Sequence, residues 1–158
     1  ERAAAAAGAL AAADAPAVDA LTCNGRPLDV LVAEDNTVNQ LVIRAMLEKL
    51  GCTVRLAGDG RRAFELYRET PPDIVLMDVS MPVVDGFQAT ALIRAHEMDC
   101  MHIPIIGVTA HALREDRRRC LDAGMDDYLS KPVRRDALMD ILRRWSPIAL
   151  ANAQRAVS

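Results

Sequence analysis

The sequence predicts an α/β protein with a doubly wound parallel sheet of five strands and five helices. Two observations favour this fold class. Short apolar runs alternate with segments of helical periodicity, and polar side chains follow the C-terminal ends of four of these runs. Strands that alternate with helices form parallel sheets through right-handed crossovers. The C-terminal ends of such strands lie along one edge of the sheet, where the ligand sites of these folds are found.

The first three strand–helix units make up the N-terminal part of the fold. Apolar runs predict strands at Leu28–Ala33, Cys52–Ala57 and Asp73–Met77. Helical spacing predicts helices at Val38–Leu50, Arg61–Glu69 and Val84–Met98. Gly51 ends the first helix and the pair Pro71-Pro72 stops the second. The side chains predicted to face the sheet are Val38, Val42, Ile43, Met46, Leu47 and Leu50 in the first helix and Phe87, Ala91 and Ala95 in the third.

The last two units follow the same alternation. Strands are predicted at Ile103–Val108 and Asp127–Leu129, and helices at Ala112–Ala123 and Val133–Trp145. Gly124 is the predicted C-cap of the fourth helix. The inward stripe of the last helix consists of Ala137, Leu138, Ile141, Leu142 and Trp145.

These units define one domain at residues 28–145, with tails on both sides. Residues 1–27 are predicted to be a disordered linker, because nine of the first thirteen residues are alanine and no polar face accompanies them. Residues 146–158 begin with Ser146-Pro147 and are predicted to be a C-terminal tail. We expect a piece of a longer parent protein, since the chain begins with Glu1.

Composition excludes several function classes. A net charge of −3 and a pI near 5.6 argue against a dedicated nucleic-acid binder. The basic run Arg117-Arg118-Arg119 lies beside acidic residues and is predicted to be a solvated helix face. The four cysteines show no CxxC pair, which favours a reducing, cytoplasmic location. No apolar segment approaches the roughly 20 residues that span a bilayer, so no membrane contact is expected for this segment.

The polar residues after the strands predict a specific chemistry. They are Glu34, Asp35, Asp78, Thr109 and Lys131. Clustered carboxylates repel one another unless a cation offsets their charge, and a hard divalent ion prefers oxygen ligands. An ammonium and a hydroxyl suit the oxygens of a phosphoryl group. The set indicates phosphoryl transfer to Asp78 with Mg²⁺, or Mn²⁺ as the alternative ion.

Each of these residues also has a simpler interpretation. The Glu34-Asp35-Asn36 segment is also typical of a helix N-cap. Lys131 could simply end a strand before Pro132. Asp78 is harder to explain in this way, because an acid at the end of a buried strand costs free energy unless something pairs with it.

Four separated motifs resemble the receiver domain of two-component response regulators. They are Val32-Ala33-Glu34-Asp35-Asn36, the segment from Met77-Asp78 to Asp85-Gly86, Val108-Thr109-Ala110 and Tyr128-Leu129-Ser130-Lys131-Pro132, in the order and spacing of a fivefold β/α repeat between about Leu28 and Trp145. The resemblance implies the flavodoxin-like strand order 2-1-3-4-5. It also implies a domain that promotes its own phosphorylation and dephosphorylation without being a turnover enzyme alone.

The resemblance implies a role for each site residue. Asp78 accepts the phosphoryl group, with Lys131 and Thr109 as catalytic partners, and Thr109 and Tyr128 form the conformational switch. The metal is bound by Asp35, by Asp78, by Glu34 through a water and by the backbone carbonyl of Ser80. His111 occupies the position at which the family tunes phosphate lifetime.

The resemblance also implies partners. The donor would be a phosphohistidine on a histidine kinase or a phosphotransfer domain. It would contact the active-site rim and the face formed by the fourth helix, fifth strand and fifth helix, from Ala112 to Trp145. We expect the chain to be the C-terminal receiver of a hybrid sensor histidine kinase, a parent protein that can be membrane-anchored. A stand-alone receiver, a docking module without phosphorylation and an aspartate-nucleophile phosphohydrolase are the alternatives, the last lacking its usual Asp-x-Asp motif at Asp78-Val79-Ser80.

Overall fold

The computed structural model describes residues 22–23, 26–81, 84–97, 102–110 and 114–157. Most of the predicted linker, the motif residues Pro82 and Val83, and His111 lie outside these residues. Within the described part of the chain, no helix is both long enough and apolar enough to cross a membrane.

Five of the seven strands found in the described residues form one parallel sheet. The strands are β1 Thr22–Cys23, β2 Arg26–Pro27, β3 Asp29–Ala33, β4 Thr53–Ala57, β5 Ile74–Asp78, β6 Ile105–Thr109 and β7 Asp127–Ser130. The sheet order is β4-β3-β5-β6-β7, which confirms the predicted order 2-1-3-4-5. The short strands β1 and β2 pair antiparallel within the segment predicted to be a linker.

In the part of the chain that the structure describes, five helices connect and cover the strands. They are α1 Thr37–Lys49, α2 Gly60–Glu69, α3 Gly86–His96, α4 Arg114–Asp122 and α5 Arg135–Val157. Side chains cap three of them: Asn36, Asp59 and Asp85 each accept a hydrogen bond from the backbone N–H three residues later. Gly124 has the positive φ of 102° expected of the predicted C-cap.

The two faces of the sheet bury two separate cores. Side chains alternate along a strand, so Val30 and Val32 pack with α1 and α5 on one face, whereas Leu31 and Ala33 pack with α2, α3 and α4 on the other. The central strands β5 and β6 are buried along their whole length. Helices on both faces therefore leave the C-terminal strand edge as the accessible end of the sheet.

The inward stripes of two helices were predicted incompletely. In α1, Ile43 and Leu47 are buried as predicted, but Val38 and Val42 are 67% and 46% exposed. In α3, the buried residues are Gly86, Ala89, Thr90 and Ile93, whereas the predicted Ala91 and Ala95 are exposed. Alanine carries little apolar surface, so it does not fix the rotation of a helix against a sheet.

The last helix is longer than predicted. It continues through Pro147 to Val157, instead of ending at Trp145. Proline cannot donate to the carbonyl four residues earlier, which belongs to Arg143, and the Ser146 hydroxyl donates to this oxygen at 3.3 Å. Ala149 is buried against the core and α5 contacts β1. These contacts offset the cost of an internal proline.

Candidate functional site

The parallel sheet brings the predicted polar residues to one edge. Glu34 follows β3, Asp78 ends β5, Thr109 ends β6 and Lys131 follows β7. Glu34, Asp78 and Thr109 are only 1–3% exposed, whereas Asp35 is exposed. Neighbouring strands match in register, with Asp78 opposite Val108 and Thr109 opposite Ser130. The residues are therefore adjacent although almost 100 positions separate them in sequence.

Lys131 joins two of the buried acids. Its Nζ lies 2.9 Å from Oδ2 of Asp78 and 3.1 Å from Oε2 of Glu34. Burial alone would lower the pKa of Lys131, but the hydrogen bond to Asp78 and the negative charges of Asp78 and Glu34 outweigh burial and raise this pKa above its ordinary value. Lys131 therefore keeps its positive charge between the two carboxylates.

Backbone N–H groups orient the other carboxylate oxygens. Ser80 N donates to Oδ1 of Asp78 at 3.0 Å, and Asn36 N donates to Oε1 of Glu34 at 3.1 Å. The N-cap of α1 is Asn36, so Glu34 and Asp35 are not capping residues. The N-cap interpretation of the Glu34-Asp35-Asn36 segment is therefore confirmed for Asn36, but it does not account for the two carboxylates.

The acids form a cluster that can hold a metal ion. Glu34, Asp35 and Asp78 each place a carboxylate oxygen within 4.8 Å of the others. Among the described residues, Oε2 of Glu34 is a buried oxygen without an aligned hydrogen bond, although the Lys131 ammonium lies 3.1 Å away. Such an oxygen can accept from a metal-bound water. The donor set is all oxygen, which fits a hard divalent cation.

Gly86 lets α3 approach the strand that carries Asp78. A Cβ atom at this position would lie 2.2 Å from the backbone oxygen of Asp78 and 2.8 Å from Cα of Val79. The Gly86 N–H donates to Val79 O at 3.3 Å and closes the loop. The absence of a side chain at Gly86 therefore lets the start of α3 pack directly against the backbone of Asp78 and Val79.

Two cavities flank the site. One, of about 310 Å³, includes Glu34 and Lys131 together with the apolar side chains Val42, Pro132 and Val133. The other, of about 410 Å³, lies on the opposite side and is bordered by Ser80, Thr109, Phe87 and Arg119. The site is thus open to a ligand from either side.

Tyr128 lies close to the site but is not part of the charged cluster. It is partly buried on β7 opposite Gly107, two residues before the Thr109–Ser130 pair. The guanidinium carbon of Arg117 lies 5.8 Å from its ring centroid. The predicted switch role of Tyr128 therefore stays a prediction.

Sequence reasoning missed an exposed apolar rim on α1. Val38, Leu41 and Val42 are 67%, 58% and 46% exposed, and Val42 borders the cavity beside Lys131. Apolar spacing alone gave no signal, because side chains that face a core and side chains that face solvent are equally apolar here.

The described residues thus form a doubly wound α/β sheet with an acidic, lysine-containing cluster at its C-terminal edge, and this cluster can hold a divalent metal ion. A family model described as "Response regulator receiver domain" matches residues 30–143. The chain belongs to this family.

Known proteins similar to this chain include hybrid kinases and isolated receiver domains. The hybrid signal transduction histidine kinase I of Dictyostelium discoideum is 43% identical over 122 residues, which are 73% of this chain and 7% of that protein. The chain thus spans a small part of this relative.

Two solved structures show the same fold. The receiver domain of a sensor histidine kinase from Pseudomonas aeruginosa PAO1, with magnesium in its active-site cleft, is 48% identical with a TM-score of 0.70, and the match covers 77% of this chain and 98% of that chain. The receiver domain of the response regulator Ssk1, in complex with the histidine phosphotransfer protein Ypd1 of Saccharomyces cerevisiae, is 29% identical with a TM-score of 0.71, over 78% and 91% of the two chains.

Proposed function

We propose that Asp78 accepts a phosphoryl group from a phosphohistidine donor, with Mg²⁺ bound at the acidic cluster. The observation that carries this proposal is the buried Asp78 carboxylate, which contacts Lys131 at 2.9 Å and lies beside the carboxylates of Glu34 and Asp35. Burying a carboxylate costs free energy, so a buried acid beside a cation and two further acids indicates a functional role. Mn²⁺ has the same preference for oxygen ligands and is the alternative ion.

The residues of the site divide the work of in-line transfer. A carboxylate oxygen of Asp78 forms the new O–P bond while the N–P bond to the donor histidine breaks and its electron pair returns to the imidazole. The Lys131 ammonium and the Thr109 hydroxyl stabilise the phosphoryl oxygens. Asp35, Asp78, the Ser80 carbonyl and, through a water, Glu34 would hold the metal. When bound, the ion neutralises negative charge on the transferred group.

Intact mass tests the acceptor directly. The chain is incubated with phosphoramidate and either Mg²⁺ or a chelator, alongside Asp78→Asn. We expect a magnesium-dependent gain of one phosphoryl group that is absent in Asp78→Asn. Asp59→Asn is the matched control, because Asp59 caps α2 and asparagine caps equally well. Phosphorylation of Asp78→Asn at the wild-type rate would exclude Asp78 as the acceptor, whereas no gain of mass in the wild type would contradict the proposal and favour an unphosphorylated docking module.

We further propose that the donor domain contacts the rim beside Lys131. The exposed Val38, Leu41 and Val42 form an apolar strip on α1 that continues into Pro132 and Val133 through the 310 Å³ cavity. Exposed apolar side chains next to a reactive group are typical of a protein contact. Ypd1 and Ssk1 are a pair of this kind, a phosphotransfer protein and a receiver.

A comparison of two phosphodonors tests this contact. Val38→Glu should slow phosphorylation by a phosphorylated histidine phosphotransfer domain at least tenfold, and should leave phosphorylation by phosphoramidate unchanged. Leu92→Glu is the control, since Leu92 is 40% exposed on α3. Equal effects on both donors, or an equal effect of Leu92→Glu, would exclude this rim as the contact.

We propose the face of α4, β7 and α5 as the surface that changes on phosphorylation and contacts further partners. Support comes from Thr109 and Tyr128, which lie on strands next to α4. Amide hydrogen exchange with and without beryllofluoride tests it, and unchanged protection across this face would contradict it.

We propose that the chain is the C-terminal receiver domain of a hybrid sensor histidine kinase. The receiver would lie in the cytoplasm, and the full-length kinase would be membrane-anchored. The chain's similarity to the Dictyostelium hybrid kinase and to the receiver of the Pseudomonas sensor kinase supports this. The parent gene tests the proposal: a kinase core before residue 1 is expected, whereas a receiver encoded alone would contradict it.

A further inference from the structure

The basic run on α4 contacts aromatic rings on both sides of the helix. Arg117, Arg118 and Arg119 are exposed, as the sequence predicts. The guanidinium carbon of Arg117 lies 5.8 Å from the ring centroid of Tyr128, and that of Arg119 lies 5.0 Å from the ring centroid of Phe87. Both distances are within the range of a cation–π contact.

Helix geometry explains why the two contacts lie on opposite sides. Each residue of an α-helix advances about 100° around the axis, so Arg117 and Arg119 flank the line of Cys120, which is 1% exposed. One arginine therefore attaches α4 to β7 and the other attaches it to α3. The Arg117 contact therefore links α4 to the ring of Tyr128.

The Arg117 contact belongs to the conformation with an unmodified Asp78. Both carboxylate oxygens of Asp78 are engaged, Oδ2 by Lys131 at 2.9 Å and Oδ1 by the Ser80 N–H at 3.0 Å. A phosphoryl group on either oxygen would displace one of these donors. The contact between Arg117 and the Tyr128 ring is therefore seen in the chain whose Asp78 carries no phosphoryl group.

We propose that Arg117 is a positioning residue that holds Tyr128 in the unmodified conformation and thereby sets the fraction of molecules ready for a phosphoryl group. This inference rests on the proposed switch role of Tyr128. Loss of one partly exposed cation–π contact changes a two-state equilibrium by about 2–5-fold. A ligand that binds only the minor conformation gains apparent affinity in proportion to the population of that conformation.

The test is a titration of the full chain with beryllofluoride and Mg²⁺, which together mimic a phosphoryl group. The sequence contains two tyrosines, Tyr67 and Tyr128, so ¹⁵N-tyrosine labelling gives two amide signals, with Tyr67 as internal reference. In Arg117→Gln we expect the apparent Kd for beryllofluoride to fall by about 2–5-fold. Arg117→Lys keeps a cation and should stay within about twofold of wild type.

Arg118→Gln is the matched control, because it removes the same charge from the same helix and Arg118 makes no ring contact among the described residues. Its apparent Kd should not change. A merely structural role of Arg117 would weaken binding, so an unchanged or higher Kd in Arg117→Gln would overturn the inference, as would an equal fall in Arg118→Gln. If the Tyr128 amide of the wild type ignores beryllofluoride although the ligand binds, the switch role of Tyr128 fails and this inference with it, whereas phosphorylation of Asp78 is judged separately by mass.

Discussion

Replacing Lys131 with methionine tests whether its ammonium offsets the buried carboxylates. At 2.9 Å, its attraction to Asp78 is about 6 kcal/mol with an effective dielectric constant of about 20, and the attraction to Glu34 at 3.1 Å is similar. Desolvation of the ammonium and the 26% exposure of Lys131 offset much of this gain. We therefore expect Lys131→Met to lower the free energy of unfolding by about 3 kcal/mol.

The assay is urea unfolding in the presence of a chelator, followed by the fluorescence of Trp145, the one tryptophan of the sequence. Lys49→Met is the control, since Lys49 is exposed in the last turn of α1, and it should cost less than about 1 kcal/mol. The pKa of Lys131 is raised above 10.5 in the folded chain. The stabilisation should therefore be constant from pH 7 to 9 and disappear as the pH rises through the raised pKa. Equal losses in both variants, or a difference that already narrows below pH 9, would refute the reasoning.

Three further changes test other parts of the structure. Mg²⁺ at a hundred times its Kd should raise the free energy of unfolding by about 2.7 kcal/mol in wild type, and Asp35→Asn should lose most of this rise in urea unfolding; an undiminished rise would exclude Asp35 as a ligand. Gly86→Ala should destabilise the fold by about 1–3 kcal/mol, because its Cβ would meet the Asp78 backbone oxygen at 2.2 Å, whereas Gly58→Ala meets nothing within 4 Å; equal thermal shifts would contradict this. Burial raises the pKa of Cys52 to about 12, so the free energy of unfolding should fall as the pH rises above 9.0. Iodoacetamide should label the Cys52 thiol at pH 8.5 only as fast as the chain unfolds. Labelling at the rate of the urea-unfolded chain would refute the burial of Cys52.

The strands and the polar cluster were predictable because each depends on local sequence. A continuous apolar run such as Ile74–Met77 has few alternatives to a buried strand, and an acid directly after it is costly unless it is used. Parallel topology then brings Asp78 and Lys131 together at one edge, 53 residues apart in sequence. The prediction therefore needed only strand identity and strand direction.

The features that the sequence did not reveal depend on tertiary contacts. The last helix was predicted to end at Trp145, before Ser146-Pro147, but the packing of Ala149 and the contact with β1 offset the helix-breaking preference of Pro147. The exposed Val38 has the same apolar character as the buried Ile43, which lies five residues further along α1. A single sequence cannot tell a side chain that faces the core from one that faces a partner.

The choice of lysine at the site follows from charge and shape. Arginine supplies seventeen of the nineteen basic residues and makes partly buried ion pairs such as Arg26–Asp73 and Arg55–Asp29. In both pairs two guanidinium nitrogens donate to the two oxygens of one carboxylate, a bidentate geometry that suits a planar guanidinium. At the sheet edge the Lys131 ammonium lies within about 3 Å of the carboxylates of Asp78 and Glu34. In the proposed reaction it must also contact the incoming phosphoryl group. A compact ammonium on a flexible chain can shift between oxygens without breaking a rigid pair. The carboxylates of Glu34, Asp35 and Asp78 outnumber the Lys131 ammonium by two. One divalent cation would neutralise this excess of negative charge.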